Sequence, residues 1–180
     1  MDEALFRAIN SGLDHPVIGW LMVRVTTFST WVLPLILLLI GMVLVDRRRG
    51  IIAIAAASLA VGIGDPFTFY ALKSFFARAR PCIELENINV LVGCVDSYSF
   101  PSNHAVNSMA VVGAIGSVFR PLLWVLLPIG LLVCLSRVVV GVHYPMDVIV
   151  GGAFGICLGV GVAMAVKKMM GDSKVENIAK

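Results

Sequence analysis

Five apolar runs, Trp31 to Val45, Ile51 to Tyr70, roughly Val106 to Phe119, Leu122 to Val140 and Val148 to Val166, dominate the chain. A bilayer core of about 30 Å takes about 20 helical residues, so the longer runs span it directly and the shorter ones reach it with their flanking turns. With 59% hydrophobic and 14% charged residues over 180 positions, and a mean hydropathy of +0.95, the chain is far too apolar for a soluble domain of this length. The reading is a single all-α domain, residues 1–180: a polytopic membrane helical bundle of five to six transmembrane helices.

Residues 4 to 30 set the uncertainty in that count. Leu5, Ile9 and Leu13 recur at helical spacing, Pro16 breaks the pattern, and a short apolar stretch precedes Arg24. Residues 1–30 are expected to form an interfacial helix, followed by a tilted sixth crossing if the count is six. The opening Met-Asp-Glu-Ala has no positive n-region, so the first span is expected to act as its own insertion signal. Arg47, Arg48, Arg49, Arg120, Lys167, Lys168, Lys174 and Lys180 share one side, which the positive-inside bias makes cytoplasmic. No basic surface interleaved with aromatics points to nucleic acid, and no obligatory protein partner is evident.

Three polar blocks open on the opposite, outer side. They are Lys73-x6-Arg80-Pro81, Pro101-Ser102-Asn103-His104, and Ser136-Arg137-x5-His143-x3-Asp147. They follow the second run, precede the third and bridge the fourth and fifth, so folding is expected to bring them to one face. Ser102 reads as an N-cap whose following amides form an anion site, with His104 beside it. Pro145 fits a first helical turn, which leaves His143 at a helix start and Asp147, four residues on, facing the same side. A carboxylate there holds one ring nitrogen and leaves the other basic, so His143 reads as a nucleophile. Lys73, Arg80 and Arg137 supply three cations for one multiply charged anion. This is an inventory for phosphoryl transfer without a metal.

Other polar residues read more plainly. Arg78 is taken as a span-end anchor, and His15 as an interfacial side chain. Asp65, inside the second run, is assigned a hydrogen-bonding role within the bundle, with Arg24 or a hydroxyl near Thr26 and Thr27 as partner. Gly155 and Gly159 suit close helix packing within the chain. Of the four cysteines, Cys134 and Cys157 read as buried hydrophobes, whereas Cys82 and Cys94 share a polar loop and pair if that loop faces an oxidising compartment. No spacing of His, Cys, Asp and Glu matches a zinc or two-metal site, so neither metal nor cofactor is expected.

The three blocks resemble the signature of the type 2 phosphatidic acid phosphatase (PAP2) superfamily. That resemblance implies a PAP2-like helical bundle in which His143 attacks phosphorus, Asp147 orients it and His104 protonates the leaving oxygen. It also implies that Lys73, Arg80, Ser102, the amide of Asn103 and Arg137 hold the phosphoryl oxygens. One departure is that Asn103 stands where the family pattern has glycine, which keeps the amide donor but adds a side chain at the pocket. Soluble vanadium haloperoxidases share these motifs; the apolar spans favour a lipid phosphatase, because a lipid phosphate enters laterally from the bilayer.

The expectation is therefore a phosphomonoester or diphosphoester hydrolase acting on a membrane lipid phosphate, at the outer face of the inner membrane, through a phosphohistidine. Undecaprenyl diphosphate is the first candidate substrate. Lipid A 1-phosphate, phosphatidylglycerophosphate and phosphatidate follow, and an anionic-lipid transporter is the non-enzymatic alternative.

Overall fold

In this computed structural model, residues 1–171 are described; Lys174 and Lys180 of the expected basic tail lie outside them. The described residues contain helices and turns and no strand. Two short helices, α1 (Asp2–Gly12) and α2 (Pro16–Thr26), precede α3 (Phe28–Val45) and α4 (Arg47–Pro66). From α4 the chain runs through a π-helical turn, Phe67–Leu72, into α5 (Lys73–Phe76), and a loop carrying α6 (Pro81–Glu84) follows. The remaining helices are α7 (Asn103–Val118), α8 (Leu123–Val139), entered by a 3-10 turn, and α9 (Pro145–Met169).

Among the described residues four segments are long and apolar enough to cross a membrane: Phe28–Val45, Arg47–Phe76, Arg120–Val139 and Pro145–Met169. Helix α7 has 16 residues, about 24 Å of helix at the usual rise. It lies in the middle of the bundle, packed on α4, α8 and α9. By contrast only 6% of α3 is buried, and its mean hydropathy of 2.5 suits a helix that faces lipid on most sides.

The seam between α7 and α9 is the closest approach in the bundle. Gly155 lies against the carbonyl oxygen of Val106 and Gly159 against that of Ala110, where a Cβ would collide with backbone. Small residues let the two helices touch backbone to backbone, the packing mode expected where lipid removes the hydrophobic drive between helices. Gly155 and Gly159 thus serve contacts within the chain. Where α4 joins these helices, its Ile52, Ala53 and Ala56 form a dense apolar cluster with Ala114 and Ile115 of α7 and Ala163 of α9.

The basic end of the bundle is tied by its arginines. Asp46 caps α4 by accepting from the Arg49 amide at 3.0 Å. Arg48 donates to the carbonyls of Met170 and Gly171 at 2.7 and 3.0 Å, and Arg49 donates to Val118 O. All three polar blocks lie at the other end.

Among the described residues α1 and α2 add no further crossing, because both lie at the polar end. Asp2 accepts from the Met146 amide at 3.0 Å, and Thr26 bonds Arg137. Eleven residues in α2 make about 16 Å of helix, too short to span alone. His15 Nδ1 accepts from the Val17 amide at 3.2 Å and so caps α2, which gives that imidazole a local structural task. Asn10, 1% exposed, fastens α1 by donating to the carbonyls of Asn89 and Val139, both at 2.9 Å.

Candidate active site

Helix α4 reaches the polar end through Pro66 and the wider π turn, a local change of pitch that re-aims the residues after it. Lys73 follows, 4% exposed, with its ammonium donating to the carbonyls of Tyr98 and Ser99. The chain then reverses at Ala77, whose φ of 45° is left-handed, and returns toward the bundle. Ser99, fully buried, fixes that return: its amide donates to Arg78 O at 2.8 Å and its hydroxyl to Ala79 O at 2.9 Å. Arg80 is thereby placed under the loop, its Nε donating to Ser97 O at 2.7 Å and its Nη2 to Ser97 Oγ at 3.0 Å. Cys82 and Cys94 are bonded to each other, and their disulfide closes the intervening loop.

His143 sits in the turn between α8 and α9, 2% exposed, with both ring nitrogens engaged. Its Nδ1 lies 3.3 Å from Asp147 Oδ2, and Arg80 Nη1 lies 3.3 Å from its Nε2. A guanidinium only donates, so Nε2 is the accepting, lone-pair nitrogen and Nδ1 carries the proton toward the carboxylate. That is the tautomer a nucleophilic imidazole needs. Burial first, then the charges of Arg80, Arg137 and Lys73, holds the His143 pKa well below its usual 6.5. Asp147, fully buried, also accepts from the Tyr144 amide at 2.8 Å through Oδ2, so the same side chain caps α9 and orients the histidine.

Asn103 and His104, in the first turn of α7 next to Ser102, line another wall. Ser102 N donates to Asp147 O at 3.0 Å, which ties the starts of α7 and α9 together. The hydroxyl does not cap the helix as expected: Ser102 Oγ is buried without a hydrogen-bond partner. The Nε of Arg137 is in the same condition, while its Nη1 bonds Thr26 Oγ1. Unspent buried donors beside a cationic cavity suit an anion, since a buried donor left unpaired is costly. His104 is exposed to the cavity.

Asp65 corrects an expectation. Its partner is neither Arg24, which lies over the Trp20 ring, nor Thr27, which donates back to Val23 O at 2.7 Å. Asp65 Oδ1 instead accepts from Asn103 Nδ2 at 2.9 Å and from Asn107 Nδ2 at 2.7 Å. The side chain that replaces the pattern's glycine therefore holds a carboxylate across two helices. Arg78 corrects another: its guanidinium bridges Asp147 Oδ1 at 2.8 Å and Asp2 Oδ2 at 2.7 Å and is no free anchor. Neither pairing had a signal in the sequence beyond the bare presence of an ionisable residue, because the partners lie 38 to 76 positions apart.

A cavity of about 280 Å³ collects these groups, lined by Lys73, Arg80, Arg137, His104, His143 and Asp65 among others. Two histidines and three cations drawn from three separate blocks thus surround one space the size of a phosphoryl group and its neighbours. Such a space offers a nucleophilic nitrogen, fixed positive charge for equatorial oxygens and a second imidazole for proton transfer.

Comparison with known proteins bears on the family of the chain. Residues 49–170 match the sequence profile of the PAP2 superfamily. The chain is 38% identical over 165 residues to the decaprenylphosphoryl-5-phosphoribose phosphatase of Mycobacterium tuberculosis, covering 88% of this chain and 80% of that protein. It is 30% identical over 161 residues to the undecaprenyl-diphosphatase BcrC of Bacillus subtilis, covering 88% and 81%. The crystal structure of a transmembrane PAP2-type phosphatidylglycerolphosphate phosphatase from Bacillus subtilis superposes with a TM-score of 0.70 at 27% identity, covering 93% of this chain and 85% of that one. Members of this group are phosphatases acting on lipid phosphates. A profile that runs from the end of one basic cluster to the end of the last helix, and takes in every block that lines the cavity, means that the chain belongs to the PAP2 superfamily of membrane lipid phosphatases.

Proposed function

We propose that the protein hydrolyses a phosphate or diphosphate from a membrane lipid through a phosphohistidine at His143. The observation that carries this reading is the His143 geometry: Nδ1 on Asp147, Nε2 facing Arg80, in a cavity also lined by Lys73, Arg137 and a second imidazole. In the first step His143 Nε2 forms a bond to phosphorus as the bond to the leaving oxygen breaks, and His104 gives that oxygen a proton. In the second, His104 takes a proton from water, the hydroxyl attacks phosphorus, and the phosphorus–nitrogen bond breaks to release phosphate. Lys73, Arg80 and Arg137, with Ser102 and the Asn103 amide, hold the equatorial oxygens, the role a metal ion plays in other phosphatases.

The site lies at the end of the bundle opposite Arg47, Arg48 and Arg49, which supports chemistry on the outer face of the inner membrane. Undecaprenyl diphosphate is the proposed substrate, supported by the similarity to an undecaprenyl-diphosphatase and by the number of cations. A specific observation favours a second reading. The Asp65 carboxylate on the cavity wall accepts hydrogen bonds and repels anions, which suits a phosphate monoester on a hydroxylated headgroup, such as a lipid A phosphate or phosphatidylglycerophosphate.

Purified protein given phosphorus-labelled lipid and quenched in alkali should yield an acid-labile, alkali-stable phosphoenzyme, mapped to His143, with turnover unchanged by a chelator. Label elsewhere, or label retained by His143→Ala, would overturn the mechanism. Release of phosphate from undecaprenyl diphosphate faster than from the monoester lipids decides for the first substrate, and the reverse order for the second.

A further inference from the structure

Arg78 belongs to none of the phosphate-holding groups above, and α1 takes no part in the proposed chemistry, yet the two meet beside the nucleophile. Asp147 binds His143 Nδ1 at 3.3 Å, through the oxygen that also accepts from the Tyr144 amide at 2.8 Å. Those two contacts alone leave the carboxylate free to rock about one oxygen. Arg78 Nη1, donating to Oδ1 at 2.8 Å, fixes the second oxygen and so the plane of the group.

Arg78 is itself held on three sides. Its Nη2 donates to Asp2 Oδ2 at 2.7 Å, and its guanidinium lies over the Tyr144 ring at 3.9 Å. Tyr144 is braced in turn by Glu84, which accepts from its hydroxyl at 2.9 Å, and by the Phe6 ring at 5.6 Å. Asp2 Oδ1 accepts from the Met146 amide at 3.0 Å, so one carboxylate in the first turn of α1 grips both Arg78 and the start of α9. A planar fork that reaches two carboxylates and stacks on a ring is a task for arginine; an ammonium presents a single point charge.

We infer that Arg78 is a positioning residue for the reaction, completed by Asp2: the chain Asp2, Arg78, Asp147, His143 sets the aim of the attacking imidazole. The inference rests on His143 as the nucleophile. It makes the first turn of α1, remote in sequence from every block, part of the support of the active centre.

Steady-state kinetics of the full chain in detergent test it, using Arg78→Gln, Arg78→Lys, Asp2→Asn, the Asp2→Asn/Arg78→Gln double variant, His143→Ala and Glu3→Gln. Arg78→Gln should lower kcat on the order of 10- to 100-fold, the usual scale for losing an outer partner that orients a reacting group, with KM unchanged. Arg78→Lys should recover part of the loss. Asp2→Asn keeps the acceptor for the Met146 amide, and its smaller loss should vanish in the Arg78→Gln background. Glu3→Gln, which breaks the exposed Glu3–Arg7 pair on the same helix, should change nothing. Wild-type kcat in Arg78→Gln, a rise in KM with kcat kept, or additive losses in the double variant would overturn the inference. If Arg78→Gln does not fold, Arg78→Lys with wild-type kcat does the same. Activity surviving in His143→Ala would instead sink the assignment of the nucleophile.

Discussion

The two histidines of the cavity are held in opposite ways. His143 is buried with both ring nitrogens engaged, by a carboxylate on one side and a guanidinium on the other. His104 is exposed at the start of α7. A nucleophile gains from a fixed line of attack, since misplacement by an ångström is costly. A group that trades protons with a leaving oxygen and then with water needs access to both. The sequence already pairs one imidazole with a carboxylate; the fold assigns the two different freedoms.

The largest test of that contrast is to remove each ring. His143→Ala should lower kcat by at least about 10⁴-fold for every substrate, as loss of a covalent nucleophile does. His104→Gln should cost about 10²- to 10⁴-fold with a lipid leaving group, and much less with a p-nitrophenyl ester, whose phenolate leaves without a proton. Equal losses of His104→Gln on both substrates would break the division of labour.

A pH profile sharpens the comparison next. The proposed attack by His143 requires a neutral ring. Burial and the charges of Arg80, Arg137, Lys73 and His104 lower its pKa, so the neutral form persists below pH 6.5, and the acid limb of kcat/KM should fall below that value. Arg80→Gln removes the largest charge contribution and should move the limb upward. Because wild type and variant are compared on one lipid, the substrate's own ionisation cancels. A limb that stays fixed would show that His143 does not set it.

Smaller effects concern the loop that carries the cations. Replacing both Cys82 and Cys94 by serine opens a loop with a sequence separation of 12. Chain entropy puts the loss near 3 kcal/mol, read as a lower thermal midpoint in detergent with the His143→Ala phenotype unaltered. Ala77→Gly should do the reverse: a left-handed φ of 45° costs an alanine about 1 kcal/mol that glycine does not incur, so the midpoint should rise slightly.

Much of the site was legible because each block is short and carries its own chemistry. Pro145 announces the start of α9, and His143 with Asp147 follows from helical spacing, so that pair needs no tertiary information. The α7–α9 glycines announce a close packing in the same way. Arg78 read as an anchor and Asp65 as a partner of Arg24 or a threonine because a charged residue near a span end has many companions within reach. Spacing along the chain does not choose among them. Residues 1–30 stayed open for a related reason: short apolar helices fit an interfacial or a tilted placement equally by composition, and α1 is fixed by contacts of Asn10 and Asp2 with the far end of the chain.

Hydrophobic length and local motif spacing thus settled by sequence alone that this chain is a membrane helix bundle, and named the candidate residues of its site, because burial of apolar runs and helix starts are properties of neighbouring residues. Tertiary structure alone decided which carboxylate each guanidinium meets, that α1 and α2 stay at the polar end, and that one imidazole is locked while the other is exposed. Those outcomes depend on contacts between segments tens of residues apart, whose geometry is fixed only when backbones such as α7 and α9 are brought together.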